Sequence, residues 1–209
     1  MNLEEMVYRV RPHVEGCPEP VIVDELRLAC EELCRESHVW QEQLVSEPLF
    51  AGISQYRLPA PADTRLVSVQ RVELNDETLE YKRVPELERM FGRDWREKTS
   101  SPQFWLMEEP FTIRVVPIPS SDFNDGLAVW ASLEPSNVWV ELPDWFRQYD
   151  RVLAEGALAT LKEIPGKGWF DPKIAQMHRR RFNTEVANVR YDVSRRFTDQ
   201  PVRTQAYPR

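Results

Sequence analysis

The period of the hydrophobic residues changes twice along this chain of 209 residues, and this change restricts the possible folds more than any other feature. Near both ends, apolar residues recur every three or four positions, as on one face of an α-helix. Between about residues 41 and 140 they form short stretches rich in β-branched and aromatic side chains, which is typical of strands joined by turns. The sequence therefore predicts an α+β protein in which a β-rich segment interrupts a helical one.

Four helices are expected. The first ends at Pro12, and the second follows a break that contains Gly16 and Pro18. The third is expected to start near Pro143 and to end at Pro165-Gly166, because proline suits a helix start and both residues disfavour a helix interior. Asp171-Pro172 predicts the start of the fourth helix, since aspartate caps the free amides and proline fits the first turn. Six residues give this last helix its expected apolar face: Ile174, Met177, Phe182, Val186, Val189 and Val193.

The middle segment predicts at least five strands, at 54–58, 65–74, 103–107, 111–116 and 127–133, with a short helix between Pro85 and Phe91. Turn-forming residues such as Asn75-Asp76 separate the strands. The predicted fold is a four-helix bundle with an inserted antiparallel β-sheet lobe and an extended C-terminal tail. Its domains are 1–40 with 141–196 (helical bundle), 41–140 (β-rich insertion) and 197–209 (an arm without a core of its own).

The formal net charge of −7 conceals an uneven distribution. Residues 167–209 carry ten basic and four acidic side chains, a net charge of +6, so residues 1–166 carry −13. Such asymmetry indicates that the two parts of the chain meet different partners. The run Arg179-Arg180-Arg181 is compatible both with a binding surface and with a solvated helix face.

No arrangement of residues predicts catalysis, a cofactor or a metal site. None of the three histidines lies in a nucleophile motif, and Gly166-Lys-Gly168 lacks the remainder of a phosphate-binding loop. Cys30, Cys34 and His38 could share one helix face, but the apolar pattern favours buried core cysteines over metal ligands. We also expect no membrane association, since no apolar stretch has the length of a membrane span and the N-terminus is too charged for a signal peptide.

Several segments resemble the head-to-tail adaptor proteins of tailed bacteriophages, including the tail tubular protein A type. The resemblance rests on the segments 32–40 (ELCRESHVW), 59–65 (PAPADTR), 72–76 (VELND), 113–119 (IRVVPIP) and 142–145 (LPDW). It implies a structural protein without catalytic residues, assembled in the host cytoplasm and located in the virion neck between head and tail. It further implies a homo-oligomeric ring of twelve copies that binds the portal protein and a tail or nozzle protein. Genomic DNA would pass through the lumen of this ring without sequence-specific binding.

In such adaptors the C-terminal segment binds the portal, which gives a set of expected portal-binding residues: Arg190, Arg195, Arg196, Phe197, Val202, Arg203, Tyr207 and Arg209. A segment with arginines and exposed apolar residues but no core is typical of one that becomes ordered on binding. A frayed terminus is the alternative. Two other functions stay open on the sequence: a cytoplasmic enzyme with an unrecognised acidic site, and a nucleic-acid-binding regulator that uses Arg179 to Arg196.

Overall fold

A computed structural model describes residues 1–44, 47–136 and 141–195. The described part divides into two compact units, one formed by Gln41–Leu133 and the other by Met1–Trp40 with the described residues after Leu133. Its α-helices are α1 (Val7–Val10), α2 (Glu19–Ser37), α3 (Val84–Phe91), α4 (Asp150–Leu161) and α5 (Pro172–Ser194). Short 3₁₀ helices cover Leu3–Met6, Arg11–His13, Trp95–Glu97 and Asp144–Tyr149. None of the described helices is both long and apolar enough to cross a bilayer.

Three long helices, α2, α4 and α5, pack against one another in the helical unit. The α+β class is confirmed, but the described residues do not show the predicted four-helix bundle. The first predicted helix consists of a single α-helical turn between two 3₁₀ segments, and it packs on α2 and α4. Pro12 lacks an amide hydrogen, so this segment cannot extend into a fourth full-length helix.

Helix α4 contacts both other long helices, and small residues make this possible. Ala154, Gly156, Ala157 and Ala159 are all buried within its twelve residues. A Cβ atom added to Gly156 would lie 2.7 Å from Ala29 Cβ on α2 and 2.9 Å from Phe182 Cε2 on α5. The expectation that small side chains in this helix allow close approach is therefore confirmed, and at Gly156 there is no room for a Cβ atom between α2 and Phe182.

The other unit is built from two long strands, β4 and β11, and several short ones. In chain order the strands of the protein are β1 (Gln41–Gln43), β2 (Glu47–Leu49), β3 (Gln55–Arg57), β4 (Thr64–Leu74), β5 (Glu77–Thr78), β6 (Glu80–Tyr81), β7 (Thr99–Ser100), β8 (Phe104–Glu109), β9 (Thr112–Val116), β10 (Ile118–Pro119) and β11 (Phe123–Pro135). One sheet has the order β1-β11-β4-β5, with β2 also paired to β11, and a second has the order β3-β9-β8-β6. Strands β7 and β10 form a separate pair.

Most of these pairings are antiparallel, as predicted, but the unit contains several sheets and two short parallel pairs, β6–β8 and β7–β10. The predicted turn at Asn75-Asp76 is confirmed: both residues have positive φ, and they join β4 to β5 as a two-residue hairpin. Helix α3 confirms the predicted short helix. Its Leu87 packs with Trp95 and with side chains of β8 and β9 in a buried cluster (Phe104, Leu106 and Val116).

Candidate interaction surfaces

Helix α5 carries five of the ten basic residues of the C-terminal part of the chain. Its start is where the sequence predicts it: one oxygen of Asp171 accepts hydrogen bonds from the amides of Lys173 and Ile174, at 3.2 and 3.1 Å. Pro172 occupies the first helical position. The buried face consists of Ala175, His178, Phe182, Val186 and Val189. The arginines therefore lie along the sides and the outer face of the helix.

The three consecutive arginines have different environments. Arg179 Nη1 donates hydrogen bonds to both carboxylate oxygens of Glu32, at 3.0 and 2.9 Å. Arg181 Nη1 lies 3.5 Å from Glu155 Oε1, whereas Arg180 is exposed and forms no ion pair with any residue in the described ranges. Two of the three charges are thus paired within the helical unit itself, so the run presents less free positive charge than the sequence suggests.

The position of His178 on the buried face of α5 has a structural explanation. This histidine is buried, and its Nδ1 lies 2.6 Å from Glu155 Oε2. The same carboxylate is paired with Arg181 through its other oxygen. Buried polar groups need such partners, so this contact ties α5 to α4 and accounts for a histidine on an otherwise apolar helix face.

Only two of the eight predicted portal-binding residues lie in the described part of the chain. Arg190 is exposed near the end of α5. The pKa of His38 is lowered mainly by the burial of His38 itself and secondly by the positive charge of Arg190. Arg195 caps α5, with its guanidinium carbon 5.4 Å from the centre of the Tyr191 ring. Arg196, Phe197, Val202, Arg203, Tyr207 and Arg209 lie outside the described residues.

The N-terminal segment forms an open groove that the sequence reasoning missed. This groove has a volume of about 680 Å³ and is lined by residues 4–19, including four carboxylates (Glu4, Glu5, Glu15 and Glu19) and one arginine, Arg11. Tyr8, which is 64% exposed, and Pro12 supply apolar surface. Glu4-Glu5 gives a sequence signal of negative charge, but the concave shape depends on how the N-terminal helical segment packs against the start of α2.

A patch of exposed apolar side chains lies at the beginning of α5. Phe170, Ile174 and Met177 are 45%, 38% and 40% exposed. The expectation that Ile174 and Met177 belong to the buried face is wrong. The helix instead buries Ala175 and His178, because the small alanine allows close packing and the histidine has Glu155 as a partner.

Comparison with known proteins supports one of the functions that the sequence left open. The model of the SU10 adaptor protein family matches residues 1–205, nearly the entire chain. The chain belongs to the SU10 adaptor protein family. This is a phage head-to-tail adaptor family, so the resemblance seen in the sequence is confirmed. None of the curated proteins compared with the chain matches it.

Membership of the SU10 adaptor family identifies the chain as a structural adaptor and a component of a phage virion. The nucleic-acid-binding alternative loses support for an independent reason. Phosphate binding depends on the number of cations available to it, and Arg179 and Arg181 are already paired with Glu32 and Glu155.

Glu31, Glu32 and Glu108, which belong to adjacent acidic pairs in the sequence, also have structural partners. Glu31 pairs with Arg27, and Glu32 with Arg179. Burial raises the pKa of Glu108, but hydrogen bonds from Arg96 and Arg114 outweigh it and lower that pKa overall. A carboxylate held in its charged form by two arginines is a poor general acid.

The cysteines of this adaptor are core residues, as predicted. Cys30 and Cys34 are completely buried on α2, and burial, followed by the neighbouring Cys30 thiol, raises the pKa of Cys34 well above its ordinary value. Within the described ranges no group of three or more histidine, cysteine or acidic residues is placed to hold a metal ion.

Proposed function

We propose that the protein forms a ring between the portal and the tail of a tailed phage, in the virion neck, and that twelve copies complete this ring. The family match over residues 1–205 carries the proposal. The division into a helical and a β-rich unit supports it, because a connecting protein needs one surface for each side of the joint. In this arrangement the helical unit faces the portal and the β-rich unit faces the tail or nozzle protein.

The end of α5 and the residues after it would bind the portal. Arg190 and Arg195 bring positive charge to the end of the helix. The following residues add Arg196, Phe197, Val202, Arg203, Tyr207 and Arg209. Arginine and aromatic side chains are the residue types that contribute most to binding at protein interfaces. The proposed contact is therefore an arginine-bearing segment of the adaptor on an acidic and apolar surface of the portal.

The acidic part of the chain would line the channel. Twelve copies that each carry −7 give the ring a strongly negative charge. A negative lumen repels duplex DNA, which carries one charge per ~1.7 Å, and keeps it from adhering during passage. Reversing the charge of the lumen carboxylates should slow DNA ejection, whereas unchanged ejection would remove this part of the proposal. In this role the adaptor has no enzymatic activity and needs no cofactor.

The experiment mixes the purified protein with the portal protein of the same phage and measures the mass of the complexes by native mass spectrometry. Negative-stain imaging of the same mixture shows their shape. We expect a portal complex with a ring of added copies, and we expect a chain that ends at Arg195 to bind much more weakly. A full-length chain that stays monomeric both alone and with the portal would contradict the proposed function.

A further inference from the structure

The N-terminal groove has an apolar floor and a negative rim. Tyr8 and Pro12 contribute most of its apolar surface, since Val7 also lines the groove but is only 4% exposed. Glu4, Glu5, Glu15 and Glu19 outnumber the single cation Arg11. Its volume of about 680 Å³ lies within the range of roughly 300 to 1,000 Å³ for pockets that accept a small-molecule ligand. The groove therefore has room for several side chains of a partner.

The negative charge of the groove is only partly neutralised. Glu5 pairs with Arg147 at 3.0 Å, and Glu19 pairs with Arg11. Both pairs are exposed to solvent, and such pairs are weak. Glu4 and Glu15 have no cationic partner among the residues that the structure describes. The two unpaired carboxylates favour a partner that brings positive charge.

The beginning of α5 presents the opposite combination. Ile174 and Met177 are exposed apolar residues on one side of the helix, and Phe170, which directly precedes the cap residue Asp171, is exposed as well. Lys173 and Arg180 flank them, and both are exposed without an ion-pair partner in the described ranges. An apolar centre with a basic border thus matches a groove with an apolar floor and an acidic rim, which is the usual anatomy of a protein interface.

We propose that the groove of one copy receives the beginning of α5 from a second copy of this chain. The two surfaces share no residue, so the contact is heterologous: each copy uses its groove for one neighbour and its helix for the other. Repetition of such a contact closes a ring when the rotation allows it. This inference rests on the proposed function, because the contact would join neighbouring subunits of the proposed ring.

The test reverses the charge of each surface separately in the full-length chain. The groove variant is Glu4→Lys with Glu15→Lys, and the helix variant is Lys173→Glu with Arg180→Glu. Association is measured by sedimentation velocity at low salt and at protein concentrations up to about 1 mM, where weak contacts are detected. We expect each variant alone to associate at least about tenfold more weakly than the wild type, because like charges then face each other.

An equimolar mixture of the two variants identifies the contact. The basic helix of the groove variant fits the acidic groove of the helix variant, and the two reversed surfaces also match each other. We therefore expect association to return in the mixture, which also shows that both variants are folded. Exposed charges of the β-rich unit supply matched controls. Two control variants should behave as the wild type: Glu88→Lys with Glu97→Lys, and Arg89→Glu with Arg93→Glu.

Three results would overturn the proposal. One is a wild-type chain that stays monomeric at about 1 mM in low salt; another is wild-type association that neither reversal weakens. The third is a mixture that stays dissociated although each reversal weakens association, which would assign the groove to a basic segment of a different protein. Portal binding of the same samples is measured separately. A wild-type chain that binds the portal keeps its proposed function even if this contact fails.

Discussion

Replacing Gly156 by alanine should destabilise the helical unit, although alanine is normally the better residue in a helix. The new methyl group would lie 2.7 Å from Ala29 Cβ and 2.9 Å from Phe182 Cε2, whereas carbon atoms prefer about 3.5 to 4.0 Å. Ala29 Cβ is fixed to the backbone of α2, and Phe182 is completely buried. The Ala29 methyl group cannot move without α2, and the buried ring of Phe182 is enclosed by the packed core.

The magnitude follows from two opposing contributions. Overpacking of a filled core costs roughly 1 to 3 kcal/mol, and contact with two helices at once places this site at the upper end. The gain in helix propensity is about 1 kcal/mol. We therefore expect a net loss of about 2 kcal/mol in the free energy of unfolding, which lowers Tm by about 4 to 8 °C for a chain of this size.

Urea unfolding followed by far-UV circular dichroism measures this loss. Gly168→Ala is the matched control: its added Cβ meets nothing within 4 Å, and its φ is not positive. It should leave stability unchanged or raise it slightly. Combining Gly156→Ala with Ala29→Gly removes one of the two facing methyl groups and should recover part of the loss. A Gly156→Ala protein as stable as the wild type would refute the close approach of the three helices.

Three further predictions concern single contacts. Asp171→Ala removes the acceptor for the amides of Lys173 and Ile174 and should cost about 1 kcal/mol in urea unfolding; an unchanged midpoint would contradict this capping role. Glu108→Gln should also lower stability at pH 7 by about 1 kcal/mol, because glutamine carries no charge and keeps only one acceptor oxygen for the two arginines, Arg96 and Arg114. Since the pKa of Glu108 is lower in the folded than in the unfolded chain, this stabilisation is present above the unfolded pKa and disappears as the pH falls through the folded pKa; a difference between variant and wild type that persists at lower pH would contradict the assignment. Finally, Cys30 and Cys34 should stay unreactive towards a thiol reagent until the chain unfolds, because both are buried; rapid labelling of the folded chain would show that α2 is not packed as described.

Local sequence chemistry predicted much of the fold. The cap at Asp171, the turn at Asn75-Asp76 and the short helix before Phe91 depend on neighbouring residues, and all three are present. The α+β class followed from the two hydrophobic periods, which also depend only on local spacing.

The features that sequence reasoning missed depend on distant residues. His178 can be buried because Glu155, on a different helix, supplies a polar partner. Ile174 is exposed because the packing of α5 turns a different face of the helix towards the core. The parallel pairing of β6 with β8 and of β7 with β10 was also missed, because the residue pattern of a strand does not show which strand it pairs with. The N-terminal groove likewise arises from packing, so the sequence revealed its charge but not its shape.

The central claim is that this chain is a structural adaptor that joins the portal to the tail. Cryo-electron microscopy of the purified virion, with the chain traced into the density of the neck, tests it most directly. We expect a ring of copies of this chain directly below the portal, with the helical unit against the portal and DNA or an open channel along the axis. A virion neck that lacks this chain, or one in which single copies lie away from the portal, would contradict the account.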